Sequence, residues 1–279
     1  MNLSKFKSYF FETLKNIFPK TEIESFFFIL LEDRLNLSRV EAALNPNTEI
    51  NAEHLAVLKN DLIALQNQKP IQYIIGKTTF YNLEFYVNKN VLIPRPETEE
   101  LVDWIINDSV KTKPTTIIDI GTGSGCIAIS LAKNLTANVS AMDISKKAIE
   151  TAKKNANLNK VTVNYINANI LNENLSQKYD VIVSNPPYVK MEEMEQMKNN
   201  VLKHEPHLAL FVANKNPLIF YKRIADLAKN NLTQNGVLYF EINQYLSKET
   251  SELLKNIGFN NIELRKDFYG NYRMLRASF

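Results

Sequence analysis

Two stretches of this sequence carry residue types that can do chemistry together. The first is Tyr179-Asp180-Val181-Ile182-Val183-Ser184-Asn185-Pro186-Pro187-Tyr188. Its first half is an almost continuous apolar run, as expected of a parallel strand buried on both faces. Its second half cannot continue that strand, because two consecutive prolines lack the N–H groups that a ladder needs. The chain therefore leaves the sheet at Asn185, at the carboxyl end of a strand, where open α/β sheets bind ligands. There Asn185 offers a side-chain carbonyl, Pro186 a main-chain carbonyl and Tyr188 a flat aromatic face, while Pro187 keeps the corner rigid. Two such oxygens can hold a planar amide or amino group by its N–H hydrogens. Taken alone, the same four residues also read as a plain turn, since Asn-Pro commonly opens one.

The second stretch is Gly121-Thr122-Gly123-Ser124-Gly125, with Asp143 farther on. A glycine-rich turn between strand and helix lets a ligand approach the backbone and meet its N–H groups. Dinucleotide sites space their glycines G-x-G-x-x-G, with an acid about twenty residues later for the ribose hydroxyls. Here the spacing is G-x-G-x-G. The acid for the ribose is kept, and the pyrophosphate loop is not matched. A nucleoside with a small charged tail suits this pattern better, and S-adenosylmethionine fits it. In that reading Gly121, Thr122, Gly123, Ser124 and Gly125 lie against the methionine portion, Asp143 holds both ribose hydroxyls, and Asn169 and Ile170 sit beside the adenine. Packing alone is the competing role for the glycines.

The elements around these stretches alternate strand and helix from about residue 115. Strands are expected at 116–120, 138–143, 161–166, 179–184, 237–242, 262–265 and 273–278, and helices at 126–135, 145–157, 217–232 and 247–257. Repeated βα units imply a mostly parallel sheet covered on both faces. The last two strands are joined only through Gly270-Asn271, too short for a crossover helix, so the final strand should run antiparallel. Residues 1–69 read as helices only. Leu3, Phe6, Phe10, Leu14, Ile17 and Phe18 recur at helical spacing, and Thr21 with Glu24 and Ser38 with Glu41 have the form of capping boxes. Asn51 is placed to cap a helix carrying Leu55, Leu58, Leu62 and Leu65 on one stripe. This bundle has no cluster of catalytic residue types and suggests a docking module. Residues 70–93 read as a β-hairpin linker turning at Asn82, and residues 94–279 as the catalytic domain. Pro94-Arg95-Pro96-Glu97 reads as a helix start, with a place for Arg95 and Glu97 at a ligand mouth as the functional alternative.

Composition narrows the classes. At 279 residues, 45% hydrophobic and 23% charged, the chain has the make-up of a soluble globular protein of two domains. A net charge of +3 does not suggest a dedicated nucleic-acid binder. The one cysteine, Cys126, excludes an internal disulfide and fits a reducing compartment. The apolar run at residues 26–31 is too short to span a bilayer, and the opening residues show no signal-peptide cleavage pattern, so the cytoplasm is the expected compartment. His204 and His207 are two histidines three residues apart, but Pro206 interrupts the helix that would align them, so no metal site is expected. Met191, Met194 and Met197, at helical spacing, read as packing residues, and Lys198, Lys203 and Lys222 as a solvated face.

Glycine turn, Asp143 and Asn185-Pro186-Pro187-Tyr188 together resemble the class I S-adenosylmethionine-dependent methyltransferases that act on nitrogen. Three flanking segments are similar to the PrmC/HemK family: residues 70–76 (Pro-Ile-Gln-Tyr-Ile-Ile-Gly), 92–99 (Leu-Ile-Pro-Arg-Pro-Glu-Thr-Glu) and 205–210 (Glu-Pro-His-Leu-Ala-Leu). The resemblance covers almost the whole chain. It implies a Rossmann-like, mostly parallel seven-stranded sheet with an antiparallel last strand, plus a small all-helical N-terminal domain. It also implies methylation of the side-chain amide of the glutamine in the Gly-Gly-Gln motif of peptide chain release factors, by a monomer with no nucleic-acid or membrane partner. Asn185, Pro186 and Tyr188 would then be catalytic, Pro187 would join them in binding substrate, and Asn185 would face the cofactor as well. The family usually has an acid where this chain has Asn169, which accepts through its carbonyl without charge assistance. The rival readings are a nucleic-acid amino-group methyltransferase using the same corner, a non-catalytic adenosylmethionine-binding scaffold and a nicotinamide oxidoreductase.

Overall fold

The protein is described by a computed structural model over residues 1–279, the side chain of residue 196 excepted. The chain forms two compact units, one of Met1–Gly76 with Lys198–His204, the other of Lys77–Met197 with Glu205–Phe279.

The first unit holds α1 (Leu3–Leu14), α2 (Lys20–Leu35), α3 (Arg39–Leu44), α4 (Ala52–Gln66) and α5 (Ile71–Ile75). Residues three and four apart share a helix face, so Phe6, Phe10 and Leu14 of α1 meet Ile23, Phe27 and Leu30 of α2 and Leu58, Leu62 and Leu65 of α4 in one core. Phe10 and Phe27 pack edge to face, with ring centroids 5.5 Å apart. Ile17 and Phe18 fall beyond the end of α1. Ser38 and Glu41 do form a reciprocal capping box, and the Asn51 side chain accepts from the His54 N–H at 2.8 Å. Thr21 and Glu24 do not form one. Proline lacks an N–H and has its φ fixed, so Pro19 takes the capping position and α2 starts at Lys20, which leaves Thr21 inside the helix. Arg34 of α2 is held at 2.8 Å by Asp61 of α4 and donates to the Ile74 carbonyl of α5 at 3.0 Å, locking three helices around one guanidinium. Residues 71–75 are therefore helical, where the sequence suggested the start of a hairpin linker.

The second unit opens with the hairpin β1 (Lys77–Phe80) and β2 (Leu83–Tyr86). Tyr81 and Asn82 both take positive φ, 47° and 59°, as the tight turns that match strand twist require. Next come α6 (Pro96–Thr112), β3 (Thr116–Ile120), α7 (Cys126–Asn134), β4 (Asn138–Asp143), α8 (Lys146–Asn159), β5 (Asn164–Asn167) and β6 (Tyr179–Ser184). A two-residue pair of strands, β7 (Val189–Lys190) and β8 (Phe211–Val212), flanks the excursion to α9 (Asn199–His204). The chain ends with α10 (Ile219–Asn231), β9 (Leu232–Glu241), α11 (Ser247–Ile257), β10 (Asn261–Lys266) and β11 (Tyr272–Ser278).

The seven-stranded sheet has the order β10-β11-β9-β6-β3-β4-β5. β9, β6, β3, β4 and β5 run parallel, and β11 is antiparallel to both of its neighbours. Because side chains alternate along a strand, Ile117, Val181 and Val183 go to the layer under α6–α8, and Ile118, Ile120 and Ile182 to the layer under α10 and α11. β5 is shorter than the sequence suggested and starts at Asn164, where its ladder to β4 begins opposite Ser140. β9 is longer, because Leu232 already pairs with Tyr179 before a shift in register. Residues 191–196 form a 3-10 turn rather than an α-helix, and Met191 of that turn is exposed.

One buried side chain ties the hairpin to the sheet domain. Asn155 of α8 accepts from the Tyr86 N–H at 2.7 Å and donates to the Tyr86 carbonyl at 3.0 Å and the Ser124 carbonyl at 2.8 Å. Asn155→Ala removes all three hydrogen bonds and leaves the Ser124 carbonyl buried without this partner, and we expect it to lower unfolding free energy in urea by about 2–4 kcal/mol. An unchanged urea midpoint would refute this role.

Candidate active site

Strand register alone gathers the predicted site. Ile120 of β3 pairs with Ser184 of β6 on one side and with Met142 of β4 on the other. The next residue of each strand is Gly121, Asn185 or Asp143, so all three arrive at the same sheet edge. Strand order reverses between β3 and β6, and such a switch point opens a crevice outside the strand ends. A cavity of about 400 Å³ lies there, within the size range of small-molecule sites.

Gly121, Gly123 and Gly125 have φ of 78°, 55° and 84°, conformations that a side chain resists. At Gly123 a Cβ would meet nothing within 4 Å, and at Gly121 only the Asn185 carbonyl at 4.0 Å, so these two present bare backbone to the cavity. Gly125 differs. It is absent from the cavity wall, and a Cβ there would stand 2.8 Å from Ile129 Cδ1 and 3.1 Å from Ala152 Cβ. Its role is close packing of α7 on α8. Thr122 and Ser124 secure the loop from beneath, both nearly inaccessible. The Thr122 hydroxyl donates to Asp119 Oδ2 at 2.6 Å, and the Ser124 carbonyl accepts from Asn155.

Asp143 closes the same loop. One of its oxygens accepts from the Gly123 N–H at 2.9 Å and the other from the Ser145 N–H at 2.8 Å. A carboxylate oxygen has two lone pairs, so each keeps one for a hydroxyl in the cavity. Burial raises the Asp143 carboxyl above its ordinary range, against the pull of these two N–H groups. Asn169 and Ile170 line the far end with Ile144 and Leu171. The Asn169 carbonyl oxygen already accepts from the Leu171 N–H at 3.0 Å, which fixes its direction. Bare glycine backbone, a carboxylate with spare lone pairs and an apolar slot fit the tail, ribose and base of S-adenosylmethionine in turn.

At the corner after β6, Asn185, Pro186 and Pro187 line the cavity. Asn185 Nδ2 donates to Thr98 Oγ1 of α6 at 3.4 Å, which leaves its carbonyl oxygen without a donor among the described residues. Tyr188 is not on the cavity wall. Its hydroxyl donates to Glu241 Oε1 at 3.0 Å and its carbonyl accepts from Asn243 at 3.0 Å, so the ring is built into a buried polar cluster behind the corner. Burial raises its hydroxyl above the usual tyrosine range. The structure thus brings together all the sequence-proposed residues except Gly125 and Tyr188.

Other residues on or behind the cavity wall show their contacts only in the fold. Glu205 is nearly inaccessible. It pairs with Arg95 and accepts from the Ile93 N–H at 3.2 Å, holding the loop before α6 against the cavity. Arg95 lines the cavity and Glu97 does not. Thr98 and Glu241 become visible only through the fold, since 143 positions separate them. Cys126 also lines the cavity, but burial pushes its thiol up to about 12, so it stays protonated and makes a poor nucleophile. His204 lies 2.9 Å from the Asn67 carbonyl and His207 packs edge-on against Phe211. No group of metal-ligating residues occurs among the described residues, nor does any helix long and apolar enough to cross a membrane.

Known proteins match along this whole arrangement. Residues 101–210 match the model of the Methyltransferase small domain, and residues 12–76 that of the PrmC N-terminal domain. The chain is similar to a release factor glutamine methyltransferase of Flavobacterium psychrophilum, 53% identical over 284 aligned positions and 100% of both chains. It is 38% identical to a protein of the same name from Bacteroides thetaiotaomicron, over 99% of this chain and 100% of that one. Among solved structures, a methyltransferase of Pyrococcus furiosus superposes with a TM-score of 0.53 at 18% identity, covering 81% of this chain and 98% of that one.

The loop has its own pH signature. Asp119 is fully inaccessible beneath the glycine turn, and burial pushes its carboxyl from 3.8 up to about 7. Below 3.8 it is protonated in both folded and unfolded chains. As pH rises toward 7 the unfolded chain releases this proton first, so the stability contributed by the neutral form is lost over that window. Asp119→Asn keeps a neutral acceptor for Thr122. Its stability relative to the parent protein should therefore rise between pH 4 and pH 7, read by thermal unfolding. A constant difference over that range would contradict the assignment.

Proposed function

Because the chain belongs to the release factor glutamine methyltransferase family, the PrmC/HemK proteins, we infer that it methylates the side-chain amide nitrogen of the glutamine in the Gly-Gly-Gln motif of peptide chain release factors. S-adenosylmethionine, bound along the glycine turn, supplies the methyl group as an activated sulfonium. The observation that carries the site assignment is the meeting at one sheet edge of Asp143, the bare backbone of Gly121 and Gly123, and an Asn185 whose amide nitrogen is already engaged by Thr98.

A glutamine amide nitrogen is a poor nucleophile, because its lone pair is delocalised into the carbonyl. The chain's task is to hold that nitrogen in attacking geometry. Asn185 Oδ1 and the Pro186 main-chain carbonyl accept its two hydrogens, and orientation by two fixed acceptors favours the pyramidal form. Pro187 keeps both oxygens in place, since its fixed φ leaves the corner little freedom. No strong base is required, because the nitrogen turns acidic only once it carries the methyl group. Tyr188 supports the corner from behind through Glu241 rather than lying on the substrate amide. Asp143 takes the ribose hydroxyls, and Ile170 and Asn169 flank the adenine.

This reading assigns docking of the release factor to the helical unit and the reaction to the cytoplasm, with one copy of the chain engaging a protein substrate. A nucleic-acid base would present the same amino group to the corner, so RNA and DNA belong in the assay as competitors.

Two substitutions separate the roles. In assays with purified release factor, Asn185→Ala should lower kcat by about two orders of magnitude while leaving cofactor affinity by calorimetry within a few-fold. Asp143→Ala should weaken cofactor binding by roughly 10–100-fold, with the smaller effect on kcat at saturation. Mass spectrometry should place one methyl group on the Gly-Gly-Gln glutamine, undiminished by added RNA or DNA. Full turnover by the Asn185 variant, or a label that follows the nucleic acid, would overturn the reading.

A further inference from the structure

Glu241, at the end of β9, is nearly inaccessible and does not line the cavity. Its Oε2 accepts from the Thr98 hydroxyl at 2.6 Å, and its Oε1 from the Tyr188 hydroxyl at 3.0 Å. Arg273 of β11 approaches the Tyr188 hydroxyl at 3.5 Å and is paired with Asp267 at 3.5 Å. Burial raises the Glu241 carboxyl, opposed by the Thr98 hydroxyl, the Arg273 charge and the Tyr188 hydroxyl, and the geometry, with one hydroxyl donor on each oxygen, is that of a carboxylate. A carboxylate is an acceptor only. The proton of the Thr98 hydroxyl is therefore committed to Glu241, and the only function left to Thr98 Oγ1 is to accept.

What Thr98 accepts is the Asn185 side-chain N–H, at 3.4 Å. A side-chain amide fits its pocket either way round, with nitrogen and oxygen exchanged. Turned over, Asn185 would set its oxygen against lone pairs on Thr98 and offer an N–H donor to a substrate that brings two donors of its own. We propose that the Thr98–Glu241 pair is the positioning element that fixes which way round the Asn185 amide is held, so that an acceptor and not a donor faces the incoming nitrogen. The inference rests on the reading of Asn185 given above. Glu241 and Thr98 are positioning residues: each acts through Asn185. The same selection follows for the substrate. A group with two N–H donors is taken, while a carboxylate in its place meets two acceptors and is refused.

The test uses the full chain with purified release factor and S-adenosylmethionine. Glu241→Gln keeps the shape but gives position 241 an N–H donor. That reverses the polarity of the chain, since Thr98 can then accept from residue 241 and donate to Asn185. Thr98→Val removes the hydroxyl, and Thr98→Ser keeps it. We expect kcat to fall about 10–100-fold in Glu241→Gln and in Thr98→Val, the size associated with a misplaced reacting group. KM and cofactor affinity should hold, and Thr98→Ser should recover most of the rate. The double variant should lose no more than the worse single one, because both changes release the same amide. Losses that multiply, or equal losses in the serine and valine variants, would overturn the proposal, as would kcat within threefold of the parent in both single variants. Nuclear Overhauser contacts between the Asn185 side-chain N–H protons and Thr98 supply a readout that needs no substrate. They should be present in the parent and lost in Glu241→Gln. Their absence in the parent protein overturns the lock. Their presence in a parent protein that leaves release factor unmethylated would instead refute the substrate reading and leave the lock standing.

Discussion

Ladder pairing of β6 stops at Ser184, because the chain that follows reaches two prolines with no N–H to give. Everything at the ligand edge depends on that stop. A parallel strand buried on both faces has no side open to a ligand, so chemistry is confined to its end. The prolines turn that end into a rigid corner whose main-chain carbonyls are free of the sheet. Three strands in register then bring a backbone-lined turn, an acid and this corner to one place. Hydrogen-bond geometry and steric exclusion, rather than any reactive side chain, set what the site can hold.

Behind the corner lies a layer of polar groups that the sheet domain keeps from water. Thr98, Tyr188, Arg273 and the neighbouring Glu241 and Asn243 come from four separated parts of the chain and hydrogen-bond to one another. Buried polar networks of this kind are costly when a member is missing and rigid when complete. Rigidity is useful here, since a nitrogen made reactive only by orientation gains nothing from acceptors that move.

Much of this was legible in the sequence because it is local. Proline pairs, glycine spacing, an acid ending a strand and the alternation of strand and helix are all written within windows of a few residues. The βα pattern gave the sheet, and the short Gly270-Asn271 link gave its antiparallel last strand. Bundle packing followed from leucines and phenylalanines at helical spacing. What stayed hidden depends on distance along the chain. Tyr188 reads from its neighbours as a face for the substrate, yet Glu241, 53 residues later, takes its hydroxyl. Gly125 follows the spacing of its two partners, but its neighbour Ala152 lies on the next helix, so its service is to packing. Thr21 with Glu24 has the letters of a cap, but Pro19 had already set the helix start.

The segment Lys198–His204 belongs to the helical unit although its sequence lies deep inside the other one. Its His204 ring meets the carbonyl of Asn67 at 2.9 Å. On a ribosome, domains generally fold as they emerge, the earliest first. Here the first five helices leave the exit tunnel long before the segment that completes their unit. The bundle can form its own apolar centre early, but its last piece arrives only after β6 and the proline corner have been made. The helical unit is therefore completed only after four of the seven sheet strands have been synthesised, through contacts of high sequence separation that slow this step.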